Sequence, residues 1–268
     1  MTKTDLKLWQ GIHAADFAVP SDRSLEALVD ELAEALRDPD PEMRDGVPYV
    51  VLRTWIQRSV IDGHQGARLG AVMAERFGDP DIQARTFAPL VLDMLVGRGD
   101  FDPAWLAAFS GWYSAEQDLR GHDPVLGWLH AVAHGADLLG SFGTHPAVRP
   151  TDMLALATAR LLADTDYVFA QQEDDRLAQA IALILTRPEL DEDQALAWLD
   201  PVENDFGGLP SGPLPAHAAN CLRTLRTLYL LADLGVRRSH EAAPVVLPHR
   251  DALKRRLVEV MAPVFQHA

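Results

Sequence analysis

A chain of 268 residues, 48% of them hydrophobic, is long enough to bury a sizeable core. A net charge of −15, with no clustered excess of Lys and Arg, argues against a nucleic-acid partner, because a phosphate backbone requires a basic surface. With no apolar leader after Met1 and no run of about 20 apolar residues to enter a membrane, the expectation is a soluble cytoplasmic protein with no membrane partner.

Apolar residues recur at three- and four-residue spacing along the chain and nowhere alternate at period two, which predicts an all-α fold. Ser24 is placed to cap a helix running to Leu36, and Asp38-Pro39-Asp40-Pro41 breaks the pattern after it. Further helices are predicted over residues 47–60, 64–77, 81–96, 103–119, 124–139, 151–168, 174–186, 191–199, 215–234 and 249–265. Many start on an acidic residue or Pro and stop near Gly or Pro, as capping and the helix dipole favour. Residues 202–214, rich in Gly and Pro, read as a surface loop. Trp105, Trp112 and Trp128 fall on apolar faces and are assigned to the core, as is the lone Cys221, within an apolar run.

Arg85, His130, Arg176 and Arg223 occupy similar places in their helices at separations of 45, 46 and 47 residues. That period suits a helical hairpin repeated along the chain, and predicts an α/α superhelix of the HEAT or armadillo kind, one repeat domain over residues 1–268. An irregular helical bundle is the alternative. In a superhelix, equivalent residues of successive helices line one concave surface.

The chemistry concentrates in Trp128-Leu129-His130-Ala131-Val132-Ala133-His134-Gly135-Ala136-Asp137. On one continuous helix, at about 100° per residue, His130, His134 and Asp137 share an arc of about 60°. Imidazoles at i and i+4 can converge on a divalent metal, with the carboxylate as a third ligand and Glu116 or Asp118 as a fourth. The zincin motif has a Glu directly after its first His, where this chain has Ala131, so a metalloprotease is not supported. The alternative is structural, with His130 and Asp137 bonding to neighbouring helices. Arg85 with Asp81 and Arg176 with Asp175 similarly suit an internal ladder of ion pairs. Asp118 or Glu116 can pair with Arg120, Glu116 as a solvated pair at i and i+4, and Asp123 suits a cap for a helix starting at Pro124. The His122-Asp123 and His240-Glu241 doublets lack the further ligands that metal-dependent phosphohydrolases and di-iron hydroxylases need. A nucleophile elbow, a Walker motif and a CxxC pair are all missing from the sequence.

The segment from Glu116 to Gly121, followed by Gly127 to Leu139, resembles a bacterial family known as domain of unknown function 2785. The Arg85 and Asp175-Arg176 segments look like its flanking blocks, and the resemblance spans residues 24–234. It implies an all-helical domain in which the polar residues of the central segment form a site. The leading expectation is a binding module that holds a protein, a peptide or a small polar ligand around His130, His134 and Asp137, with Arg85, Arg120 and Arg176 supplying positive charge. The alternative is a metal-dependent hydrolase with one divalent ion on His130, His134 and Asp137.

Overall fold

The computed structural model describes residues 3–238 and 241–265, most of them helical. In chain order the helices are α1 (Lys3–Ala14), α2 (Leu25–Ala35), α3 (Pro41–Arg44), α4 (Val47–Gln57), α5 (Gly63–Arg76), α6 (Ile82–Arg98) and α7 (Pro103–Tyr113). There follow α8 (Ala131–Thr144), α9 (Pro150–Leu162), α10 (Glu173–Ile184), α11 (Glu192–Leu196), α12 (Asp200–Gly207), α13 (Ala216–Leu234) and α14 (Arg250–Met261). None is long and apolar enough to cross a membrane. His240 of the His240-Glu241 doublet lies outside the described residues.

The start signals act as expected at several ends. Ser24 accepts the Ala27 N–H, Asp62 and Gln65 form a reciprocal capping box, and Asp102 accepts the Ala104 N–H ahead of Pro103. Gly99 closes α6 at φ +103°, a conformation open to glycine at little cost.

Packing follows chain order in two rows. α4 packs on α6, α6 on α8, α8 on α10 and α10 on α13, while α2 packs on α5, α5 on α7, α7 on α9 and α9 on α12. One continuous cluster of buried apolar residues runs from Trp9 to Met261 and includes Trp105, Trp112 and Cys221. Close approach between helices depends on small residues in α8. A Cβ on Gly135 would meet the Tyr113 ring at 2.2 Å, and one on Gly143 would meet the Ile184 side chain at 2.2 Å.

Arginines near the C-terminal ends of helices bind carbonyls at the C-terminal end of the preceding helix in the same row. Arg76 donates to Ala33 O. Arg98 donates to Ile61 O at 2.7 Å and Ile56 O at 3.4 Å. Arg160 reaches Glu116 O at 2.8 Å and Tyr113 O at 3.1 Å, and Arg187 reaches His145 O at 2.8 Å and Gly143 O at 3.1 Å. These carbonyls lack intrahelical donors and carry the negative end of the helix dipole, so a buried guanidinium satisfies both needs.

Several boundaries differ from the sequence expectation: α1 and α3 fall outside the predicted helices, α8 runs on to Thr144, and α9 stops at Leu162 instead of residue 168. α7 stops at Tyr113, and residues 124–128 belong to a small hairpin in which His122–Asp123 pairs antiparallel with Gly127–Trp128. Asp123 does cap, but it caps the hairpin turn: its Oδ1 accepts the Val125 and Leu126 N–H groups at 2.8 and 2.9 Å. Gly127, at φ +71°, and His130, at φ +53°, are left-handed, so α8 cannot begin before Ala131. Residues 202–207, expected within a loop, belong to α12, with Pro201 in its first turn.

Candidate functional site

The left-handed turn at His130 changes the geometry of the His/Asp stripe. His130 caps α8, with its carbonyl accepting the His134 N–H at 2.9 Å, while His134 and Asp137 stand on the helix itself. Gln172, likewise left-handed at φ +65°, caps α10 in the same way, and Asp81 caps α6. The residues four beyond these caps are Arg85, His134 and Arg176. His134, not His130, therefore matches the two arginines by position.

The imidazoles belong to a column of rings. His122 meets Trp128 at 4.8 Å between centroids, Trp128 meets His130 at 4.6 Å, His130 stacks on His134 at 5.4 Å, and His134 meets the edge of Phe87 at 5.7 Å. Trp128 at its outer end is 45% exposed, which corrects its assignment to the core. His134 Nδ1–H donates to the Thr86 carbonyl at 2.9 Å, one turn from Pro89, whose missing N–H interrupts the α6 ladder. Burial, aided by the Arg176 charge, pushes the His130 imidazole down to about 4. The same burial pushes His134 down to about 3 against the opposing pull of the Thr86 bond. Both rings are neutral near pH 7.

Asp137 does not join the imidazoles. Its carboxylate takes a two-pronged bond from Arg176, with Nε to Oδ1 at 2.8 Å and Nη2 to Oδ2. Among the described residues no group of three or more His, Cys, Asp and Glu side chains could hold a metal ion. The two residues considered as fourth ligands are engaged elsewhere. Glu116 accepts from Arg85 Nε at 2.6 Å, from Arg85 Nη2 at 3.2 Å and from Trp112 Nε1 at 2.8 Å, and also from the backbone N–H groups of Gln117 and Asp118. Burial alone would raise its pKa, but these bonds outweigh it and hold the carboxyl below the usual range. Asp118 and Asp123 both bind Arg120.

The ion pairs therefore link units through partners other than those expected. Arg85 binds Glu116 instead of Asp81, and Arg176 binds Asp137 instead of Asp175. Arg223 binds Asp174 at 2.7 Å, and Thr227 binds Asp175 at 2.9 Å. Arg120 pairs within the hairpin segment and not with Glu116.

A concavity of about 880 Å³ opens on the α4, α6, α8 and α10 row. Asp137 and Arg176 line it; His130, His134, Arg85 and Arg120 do not. Its other polar walls are Gln57, Asp93, Ser141, Gln179, Arg98 and Arg238, and Ile56, Met94 and Leu183 supply apolar surface. Ser141 Oγ donates to Asp93 Oδ1 at 2.5 Å, and burial raises the Asp93 carboxyl above its ordinary value despite that bond and the Arg176 charge. Arg98 is saturated by Asp100, Ile56 O and Ile61 O. By contrast Arg176 Nη1, Asp93 Oδ2 and the whole Arg238 guanidinium have no hydrogen-bond partner among the described residues.

Sequence reasoning missed Asp93, Ser141 and Arg238. The signal for Asp93 is one carboxylate inside the apolar run Pro89-Leu90-Val91-Leu92-Asp93-Met94-Leu95-Val96, where an unpaired charge is costly. Arg238 carries no comparable local signal.

A family model described as "Protein of unknown function (DUF2785)" matches residues 73–230, more than half of the chain and the whole of α6 to α10. No curated protein and no solved structure matches.

Proposed function

The chain belongs to the DUF2785 family, and from its groove we propose that it is a binding module whose α4, α6, α8 and α10 row holds a peptide or a small polar ligand by a carboxylate. In this reading the helix pairs form an α/α superhelix with that row on its concave side. Its support is the ordered packing of both rows and the arginine bridges, whose partners Arg76 and Ala33, Arg160 and Tyr113, and Arg187 and Gly143 lie 43, 47 and 44 residues apart.

The observation that carries the reading is the groove of about 880 Å³, in which Arg176 and Arg238 keep donors with no partner among the described residues. Unused guanidinium donors favour a carboxylate at that place. The volume falls within the range of small-molecule and peptide pockets. The hydrolase alternative requires three ligands on one ion, and Asp137 is bound to Arg176 instead.

Calorimetric titration with a panel of tetrapeptides, each as the free acid and as the C-terminal amide, tests the reading. The free acids bind, the amides lose at least about tenfold in affinity, and Arg238→Glu abolishes the difference. Equal affinity for acid and amide, or no binding of either, overturns it.

A further inference from the structure

Asp93 on α6 and Arg176 on α10 stand on either side of α8 in the same groove; burial raises the Asp93 pKa and lowers that of Arg176, and the charge of each opposes the shift of the other. Yet no hydrogen bond joins them. Arg176 turns Nε and Nη2 to Asp137, and Asp93 turns Oδ1 to Ser141. Each pairing fixes its side chain and leaves one atom without a partner, an acceptor at Asp93 Oδ2 and a donor at Arg176 Nη1. Arg238 adds a second donor on the arginine side.

A ligand with a single charge cannot complement both. An anion that satisfies Arg176 leaves Asp93 unpaired beside it, and a cation that satisfies Asp93 faces two guanidinium groups. A dipolar ligand satisfies all three at once, because a partly buried carboxylate gains most from a charged donor and a guanidinium from a carboxylate. Ile56, Met94 and Leu183 then supply apolar wall for the rest of the molecule.

We propose that the groove holds a zwitterion of the α-amino-acid class with an apolar side chain, its ammonium on Asp93 and its carboxylate on Arg176 and Arg238. This deepens the carboxylate-binding reading above and rests on it. Asp137 and Ser141 act as positioning residues that hold Arg176 and Asp93 in place.

Calorimetric titration of the intact chain with L-methionine and its two half-molecules, 4-(methylthio)butanoate and 3-(methylthio)propylamine, separates the cases. L-Methionine binds, and each half-molecule binds at least about tenfold more weakly because one charged partner is lost. Asp93→Asn, which keeps the shape and the bond to Ser141, weakens L-methionine by about tenfold and leaves the butanoate unchanged, so a folding defect is recognised by loss of both. If the butanoate binds as tightly as L-methionine, the zwitterion assignment is overturned and the carboxylate site stands. If none of the three binds while the free-acid tetrapeptides do, the amino-acid class is overturned alone; if nothing binds, both readings fall.

Discussion

Two regions of the α6, α8 and α10 row use similar residues to opposite effect. In one, His134 donates to Thr86, Arg85 and Glu116 are paired, and Arg120 is held by Asp118 and Asp123. In the groove, Asp93, Arg176 and Arg238 keep atoms with no partner among the described residues. A charged residue whose bonds are all met internally fixes geometry, whereas one left half-bonded on a concavity is available to a ligand. The density of His, Asp and Arg in a sequence does not separate the two cases.

Three measurements can break or sharpen that contrast. The largest effect belongs to Glu116→Ala, which leaves Arg85, itself only 19% exposed, with the Asp79 and Pro80 carbonyls alone and strands three further donors; breaking such a pair costs about 3–5 kcal/mol. Denaturant unfolding should show this loss near pH 7. Because the folded pKa of Glu116 lies below its unfolded value, the stabilisation is present above the unfolded pKa and fades as pH falls through the folded one. A loss below about 1 kcal/mol would mean the saturated region is not structural.

The second effect is pH-dependent. His130 and His134 have folded values of about 4 and about 3, below the unfolded value of about 6.5, so the unfolded chain binds more protons as pH falls from about 6.5. Stability therefore declines on acidification through that window. His134→Phe should flatten the decline by about one proton while costing about 1–3 kcal/mol at pH 7, where Thr86 O loses its donor. An unchanged slope in thermal melts from pH 7 to pH 4 would place His134 in water.

The smallest effect on stability belongs to Arg238→Ala. With no partner among the described residues to lose, it should alter unfolding by no more than about 0.5 kcal/mol while removing the preference for free-acid peptides. A destabilised Arg238 variant would erase the distinction between the two regions.

Much of the helical pattern could be read in advance, because apolar spacing of three and four residues and caps such as Ser24, Asp62 and Asp102 are local signals. The hairpin before α8 could not. Asp123-Pro124 satisfies the pattern of a helix start, and only Gly127 and the left-handed His130 argue for a turn, the second of which any residue can conceal. That single error placed His130 on the face of α8, where it is in fact the cap, and put Trp128 in the core. Asp137 and Arg176 are legible as polar positions on their helices, but their pairing spans 39 residues, and local spacing carries no information about partners at that distance.

The arginine bridges also bear on how such a chain can change length. Each joins one helix end to another directly, independently of the length of the connector between them. Residues 114–130 illustrate the freedom this gives: they accommodate a whole hairpin between α7 and α8 while Arg160 still reaches the end of α7 and Arg187 still reaches the end of α8. The hairpin has an anchor of its own, because the buried Arg44 donates to the Leu126 and Trp128 carbonyls, so a length change there is absorbed only in the turn at residues 124–125.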